Sequence, residues 1–251
     1  MRDKLFIFDI DGTVVDTPAQ KIPTDRMVKA FASASEKYVM CAATGRPWSF
    51  AQPVIEKLTK DPCIVAGGTQ IRSSDGEELW ECAIDDEALN RVLEVLGTYE
   101  ESMLLFNDYP EADYYEENGY RVSNLPRDKS VYFLEAIFVP EPKAVELKQK
   151  IDQIEGVVCT MVVAQKPGMK DLHITNEFAT KEHAVAELLK IVQIDVDETT
   201  GVGDGHNDLH LFAAVKNKVA MGNAVPELKA EADIVIGDVK DNGLAEYLEQ
   251  L

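Results

Sequence analysis

Near the N-terminus the run Phe6-Ile7-Phe8-Asp9-Ile10-Asp11-Gly12-Thr13 sets two carboxylates two positions apart at the end of an apolar, β-prone stretch. Strand alternation puts Asp9 and Asp11 on one side, and Gly12-Thr13 lets the chain turn away. Carboxylates this close repel each other unless a cation or a shared proton lies between them. Short oxygen donors at this spacing suit Mg2+, which takes carboxylates together with water and substrate phosphate. Alone, such a pair also reads as an acidic turn after a buried strand. The apolar run before it and the Gly-Thr after it favour a site.

Three further segments have residue types suited to phosphate or metal chemistry. Thr44-Gly45-Arg46 offers a small hydroxyl and a turn glycine ahead of a helix start near Pro47, where backbone amides could hold a phosphate. Thr180-Lys181-Glu182 opens an amphipathic stretch, so Lys181 falls in a first helical turn, where a cation opposes the helix dipole and calls for a nearby anion. Gly203-Asp204-Gly205-His206-Asn207-Asp208 packs two acids, an amide and two glycines into one loop, a metal or phosphate signature that also reads as a solvated loop when taken alone.

These residues need elements to hold them. Leu5 to Phe8 reads as a strand buried on both faces, with Asp9 at the carboxyl end, where open parallel sheets bind ligands. Tyr38 to Ala43 and Thr199 to Val202 read as further strands ending at their motifs, and strand and helix patterns alternate at both ends of the chain, as in parallel βαβ units. The middle differs. After Glu78 to Ala83, a last strand before a crossover, come a helix opened at Asp85-Asp86, a strand at Met103 to Phe106 and a loop with Asp108, Tyr109, Tyr114, Tyr115 and Tyr120. A strand from Val131 to Val139, a helix after Pro142 and a strand from Val157 to Ala164 follow. That order is an α+β layer of helices over an antiparallel sheet, returning through the turn Gln165-Lys166-Pro167-Gly168.

Together and in this order, the four segments resemble the haloacid dehalogenase superfamily, with its DxDGT loop, a Ser/Thr at a second strand end, a Lys opening a later helix and a GDxxND loop. Val219-Ala220-Met221-Gly222-Asn223-Ala224 and Ala232-Asp233 are similar to the Cof-like phosphatases of that superfamily, which insert a large cap between the second and third motifs. The resemblance implies an α/β fold with a Rossmann-like parallel core, helices on both its faces and an inserted α+β cap. Applied here, it gives a core of residues 1–83 and 171–251 and a cap of residues 84–170. It also implies that Asp9 attacks phosphorus and forms an aspartyl phosphate, while Asp11 protonates the leaving oxygen and then activates water. The metal ligands map onto Asp9, the Asp11 carbonyl and Asp204, with Asp208 supporting through water or Lys181. Thr44 and Lys181 hold the phosphoryl oxygens, with Asn207, Gly45, Arg46 and amides near Gly12 as further phosphate contacts.

The implied activity is a Mg2+-dependent phosphatase of a small phosphate monoester, a sugar phosphate or similar metabolite, acting as monomer or homodimer. A phosphomutase shares the same aspartyl phosphate, and receiver-type switches share an acidic pair, a Ser/Thr and a Lys, so both stay open as alternatives. With 45 acidic against 25 basic residues, the net charge of −20 repels nucleic acid and anionic membranes. No stretch of about 18 apolar residues occurs and the N-terminus enters a core strand, so the expected place is the cytoplasm. Cys41, Cys63, Cys82 and Cys159 show no CxxC spacing and read as reduced core residues.

Overall fold

The computed structural model describes residues 2–17, 22–107, 119–125, 129–164 and 166–251. The chain divides into two compact units, Met1–Trp80 with Thr180–Leu251, and Glu81–Ala179. It opens with β1 (Lys4–Phe8), α1 (Asp25–Ala34), β2 (Tyr38–Ala42), α2 (Trp48–Leu58), β3 (Cys63–Val65), β4 (Gln70–Arg72) and β5 (Glu78–Glu81). There follow α3 (Asp86–Gly97), β6 (Met103–Phe106), β7 (Phe133–Pro140), α4 (Glu141–Ile151), β8 (Val157–Val163) and β9 (Met169–Asn176). The chain closes with α5 (Lys181–Val192), β10 (Thr199–Gly203), α6 (Asp208–Ala213), β11 (Asn217–Ala220), α7 (Pro226–Glu231), β12 (Ile234–Val235) and α8 (Gly243–Leu248).

In the first unit a parallel sheet runs in the order β12-β11-β10-β1-β2. Strand β1, inside the sheet, is apolar on both faces because both are covered. Phe6, Phe8 and Met40 pack with Met27, Phe31 and Leu244 on one side. Leu5, Ile7 and Cys41 pack with Ala184, Val185 and Leu188 on the other. This is the expected α/β core with helices on both faces. The strand order reverses between β1 and β10, and ligand crevices of open parallel sheets form at such a switch point, outside the carboxyl ends. A small sheet in the order β3-β4-β5, of which only the last strand was expected, completes the unit.

The second unit is an antiparallel sheet in the order β6-β7-β9-β8. Val92, Leu96, Leu147 and Ile151 of α3 and α4 bury Leu134, Ala136, Leu172 and Ile174 of the sheet. The α+β build is as expected, but the boundaries expected at 83/84 and 170/171 are corrected to 80/81 and 179/180. Residues 171–176 belong to β9, which pairs with β7 and β8 along its length, and Asn176 Nδ2 donates to Ala83 O at 2.8 Å. A strand's own pattern does not say which sheet it joins, and tertiary pairing decides it here.

Asp108, Tyr109, Tyr114, Tyr115 and Gln165 lie outside the described residues. Tyr120 exchanges backbone hydrogen bonds with Leu104 at 2.7 and 2.8 Å. All four cysteines are free thiols, and Cys82 is only half-buried rather than a core residue. Among the described residues, no helix is long and apolar enough to cross a membrane.

Candidate active site

Parallel pairing brings the motifs to one sheet edge. Asp9 N donates to Val202 O at 2.9 Å and Ala43 N to Phe8 O at 2.8 Å, so the residues after β1, β2 and β10 emerge side by side. Asp9 and Thr44 are buried there. The Thr44 hydroxyl accepts from Arg46 N at 3.1 Å and fixes the turn through Gly45.

Lys181 meets the anions its position calls for. Thr180 caps α5, its hydroxyl accepting from His183 N, and the Lys181 side chain, only 2 % exposed, donates to Asp9 Oδ1 and Asp208 Oδ1, both at 2.6 Å. The other oxygen of Asp208 accepts from Asp204 N and Gly205 N at 2.9 and 3.0 Å, so this fully buried carboxylate ties the acidic loop to the lysine. Gly203 makes room for it, since a Cβ there would run into the Asp208 carboxylate.

Asp204 faces the first loop. Gly12 has φ +77°, a left-handed backbone, and a Cβ on it would collide with the Asp204 carboxylate. Asn223, after β11, joins the two: its Nδ2 donates to Gly12 O at 2.7 Å and to Asp204 Oδ2 at 3.2 Å, while its Oδ1 accepts from Val239 N. Sequence reasoning placed Asn223 in a resemblance but not in the site. The signal was its position, a polar residue just past the carboxyl end of a core strand, as with Asp9, Thr44 and Asp204. Asn207 and Gly45, expected as phosphate contacts, are exposed.

Asp11 has a partner that its spacing did not announce. Asp9 is held by Lys181 and Asp11 by a second cation. Arg46 grips Asp11 at two points, Nε to Oδ2 at 2.9 Å and Nη2 to Oδ1 at 2.6 Å, and its Nη1 donates to Phe50 O. Such a fork fixes the carboxylate's orientation.

Charge in the cluster stays unbalanced. Burial raises Asp9 to about 7; Lys181 opposes the rise and Asp208 adds to it. Burial likewise raises Asp204 to about 6, with Asp208 adding. Burial alone would lower Lys181, but Asp208 and Asp9 outweigh it and leave its affinity for the proton raised. The directions agree: Asp208, bound by an ammonium and two amides, holds Lys181 charged and presses Asp9 and Asp204 toward their neutral forms. Asp9, Asp204 and Asp208 each offer an oxygen, all within 4.8 Å of one another. Three carboxylates with one ammonium among them fit a hard divalent cation on all-oxygen donors.

The model of a family described as haloacid dehalogenase-like hydrolases matches residues 6–248. The chain is similar to the putative phosphatase YkrA of Bacillus subtilis (strain 168), 26 % identical over all of this chain and 98 % of the relative. It is equally similar, at 26 %, to an HMP-PP phosphatase of Klebsiella pneumoniae (strain 342), over 98 % of this chain and 94 % of that one. In fold it matches the crystal structure of TM0651 from Thermotoga maritima with a TM-score of 0.80, at 21 % identity over 99 % of this chain and 97 % of that one.

Proposed function

This chain belongs to the haloacid dehalogenase-like hydrolases, and on that premise we propose that it is a Mg2+-dependent phosphatase of a small phosphorylated metabolite. The observation that carries the reading is the buried frame of Asp9, Lys181 and Asp208 with Asp204 beside it at the carboxyl ends of β1 and β10. Relatives with phosphatase in their names support the reaction class.

Asp9, Asp204 and the Asp11 carbonyl would hold the cation, and Asp208, whose oxygens already accept from Lys181 and two amides, would keep Asp204 in place. Bound Mg2+ supplies charge neutralisation for the phosphate and for Asp9 together. Lys181 holds Asp9 Oδ1, which leaves Oδ2 to attack phosphorus. As the aspartyl phosphate forms, the bond from phosphorus to the ester oxygen breaks and Asp11 delivers a proton to that oxygen. Asp11 then takes a proton from water, whose oxygen attacks phosphorus and releases Asp9 and inorganic phosphate. Arg46 donates to both oxygens of Asp11, so the fork orients Asp11 as the base, and in the acid form the protonated oxygen turns from Arg46 to the ester oxygen. Thr44, Lys181 and amides near Gly12 bind the phosphoryl oxygens. Choice of the leaving group falls to the second unit, acting as a cap.

The test combines a product assay with variants. The wild type should release inorganic phosphate from p-nitrophenyl phosphate, stop in EDTA and recover with Mg2+. Asp11→Asn should slow a poor leaving group more than p-nitrophenol. Equal damage to both would remove Asp11 from the proton transfer, and phosphoryl return to a second hydroxyl of the substrate would make the enzyme a mutase. Ranking phosphorylated sugars, nucleotides and short acids by kcat/KM would name the substrate.

A further inference from the structure

Among the described residues, strand β8 is an open edge. Its seven residues, Val-Val-Cys-Thr-Met-Val-Val, contain no charge and no proline, and it ends the sheet order. Val158 and Val163 are 45 % and 79 % exposed. Edge strands template pairing with another chain unless they are shortened, charged, bulged or covered. The opposite edge strand, β6, is only four residues long, and its Leu104 exchanges two hydrogen bonds with Tyr120. In the first unit, the edge strand β12 is only two residues long.

The edge is also self-complementary. Gly156 O accepts from Glu177 N, and Ala164 N donates to Met169 O. Antiparallel strands exchange bonds at alternate residues, so Val158, Thr160 and Val162 turn their N–H and C=O toward β9, and Val157, Cys159, Met161 and Val163 turn theirs outward. A two-fold axis at Thr160 sets Val157 opposite Val163 and Cys159 opposite Met161, so outward groups meet only outward groups. Thr160 then faces Thr160 of the other copy, with Val158 facing Val162.

We propose that the outer edge of β8 pairs antiparallel with β8 of a second copy of this chain, joining two four-stranded sheets into one. A seven-residue edge is small beside the roughly 1,200–2,000 Å2 of a stable interface, and two chains of net charge −20 repel each other. The dimer is therefore one that dissociates on dilution and strengthens with salt.

Sedimentation velocity at rising protein concentration and at low and high salt tests this on the full chain. The wild type should shift from monomer to dimer, and Thr160→Lys, which sets two ammoniums face to face at an exposed position, should stay monomeric with an unchanged Tm. Thr160→Cys should form a disulfide-linked dimer under mild oxidation, because directly opposed side chains at such a pair lie about 4.5–5.5 Å apart. Val196→Cys, 45 % exposed in the first unit, and the wild type should not cross-link. A wild type that stays monomeric at every concentration, a Thr160→Lys protein that still dimerises, or Val196→Cys cross-linking as fast as Thr160→Cys would each overturn the proposal. Dimerisation that Thr160→Lys leaves intact would assign self-association to another surface.

Discussion

The two units treat a buried carboxylate in opposite ways. In the second, Glu135 on β7 lies opposite His173 on β9, with 2.9 Å between Glu135 Oε1 and His173 Nε2, while Asp171 close to both accepts from Phe138 N. In the first, Asp9 and Asp208 share Lys181, with Asp204 close by. A matched pair can serve packing alone. A cluster with more acid than base is held together against its own repulsion, here by main-chain amides on Asp208 and by Asn223 on Asp204. Excess negative charge held so rigidly suits a hard cation, and the proposed chemistry is therefore assigned to the first unit.

Asp9→Asn should give the largest effect. Turnover of p-nitrophenyl phosphate should fall on the order of a thousand-fold or more, as for loss of a nucleophile, and acid-quenched single turnovers should yield no phosphoenzyme. The Tm in EDTA should hold or rise, since burial makes the Asp9 charge costly. Activity above about a tenth of wild type would remove Asp9 from the nucleophile's role.

Lys181→Met should cost stability as well as turnover. It leaves Asp9 and Asp208 facing each other without their shared ammonium, and removing one partner from a buried ion pair costs about 3–5 kcal/mol. Urea unfolding in EDTA measures the loss, and Mg2+ should recover more stability in this variant than in the wild type. A loss under about 1 kcal/mol would mean that the cluster is far better solvated than its burial implies.

Most of this frame was legible before the structure. Asp9 and Thr44 follow apolar runs, Asp204 follows a short run read as a strand, and parallel sheets bring strand ends together, so spacing in sequence became proximity in space. Lys181 was legible from its discomfort at a helix start. The Asp11–Arg46 fork was not, because residues 35 apart carry no local sign of their pairing and the DxD spacing pointed to a shared cation. Asn223 was missed because one amide after a short strand resembles any turn. The end of the second unit was misplaced because β9 runs straight from one role to the next, and only its register with β7 and β8 shows where it belongs.

Acidity should divide the units next. Asp9 and Asp204 are raised from 3.8 to about 7 and about 6, so between those limits the folded chain binds more protons than the unfolded one. Stability in EDTA should therefore fall as pH rises through this window, most of the change coming between about pH 4 and pH 7. Glu146 and Glu249, lowered from 4.5 by Lys150 and Arg26 respectively, pull the other way only at lower pH. Saturating Mg2+ needs the deprotonated acids and should flatten or reverse the trend. Thermal scans at pH 5.5 and 7.5, with and without Mg2+, check both signs. A metal-free protein that is steadier at the higher pH would mean that the cluster is not strained.

The smallest effect should come from Glu135→Gln, which probes the matched pair. Glutamine keeps the size of the side chain and an acceptor oxygen toward His173 and removes only the charge. Because His173 is a third exposed at its side chain, solvent screens much of what the charge contributes, and the loss should stay near 1 kcal/mol or below. Turnover of p-nitrophenyl phosphate should remain within about twofold of wild type, since a change of that size corresponds to under 0.5 kcal/mol at the barrier. A small leaving group makes few demands on a unit assigned to selection, so ranking among larger phosphate esters is where the variant should depart from the wild type. If p-nitrophenyl phosphate turnover instead fell about a hundredfold, the Glu135–His173 pair would belong to the chemistry, and excess buried charge would no longer mark which unit performs it.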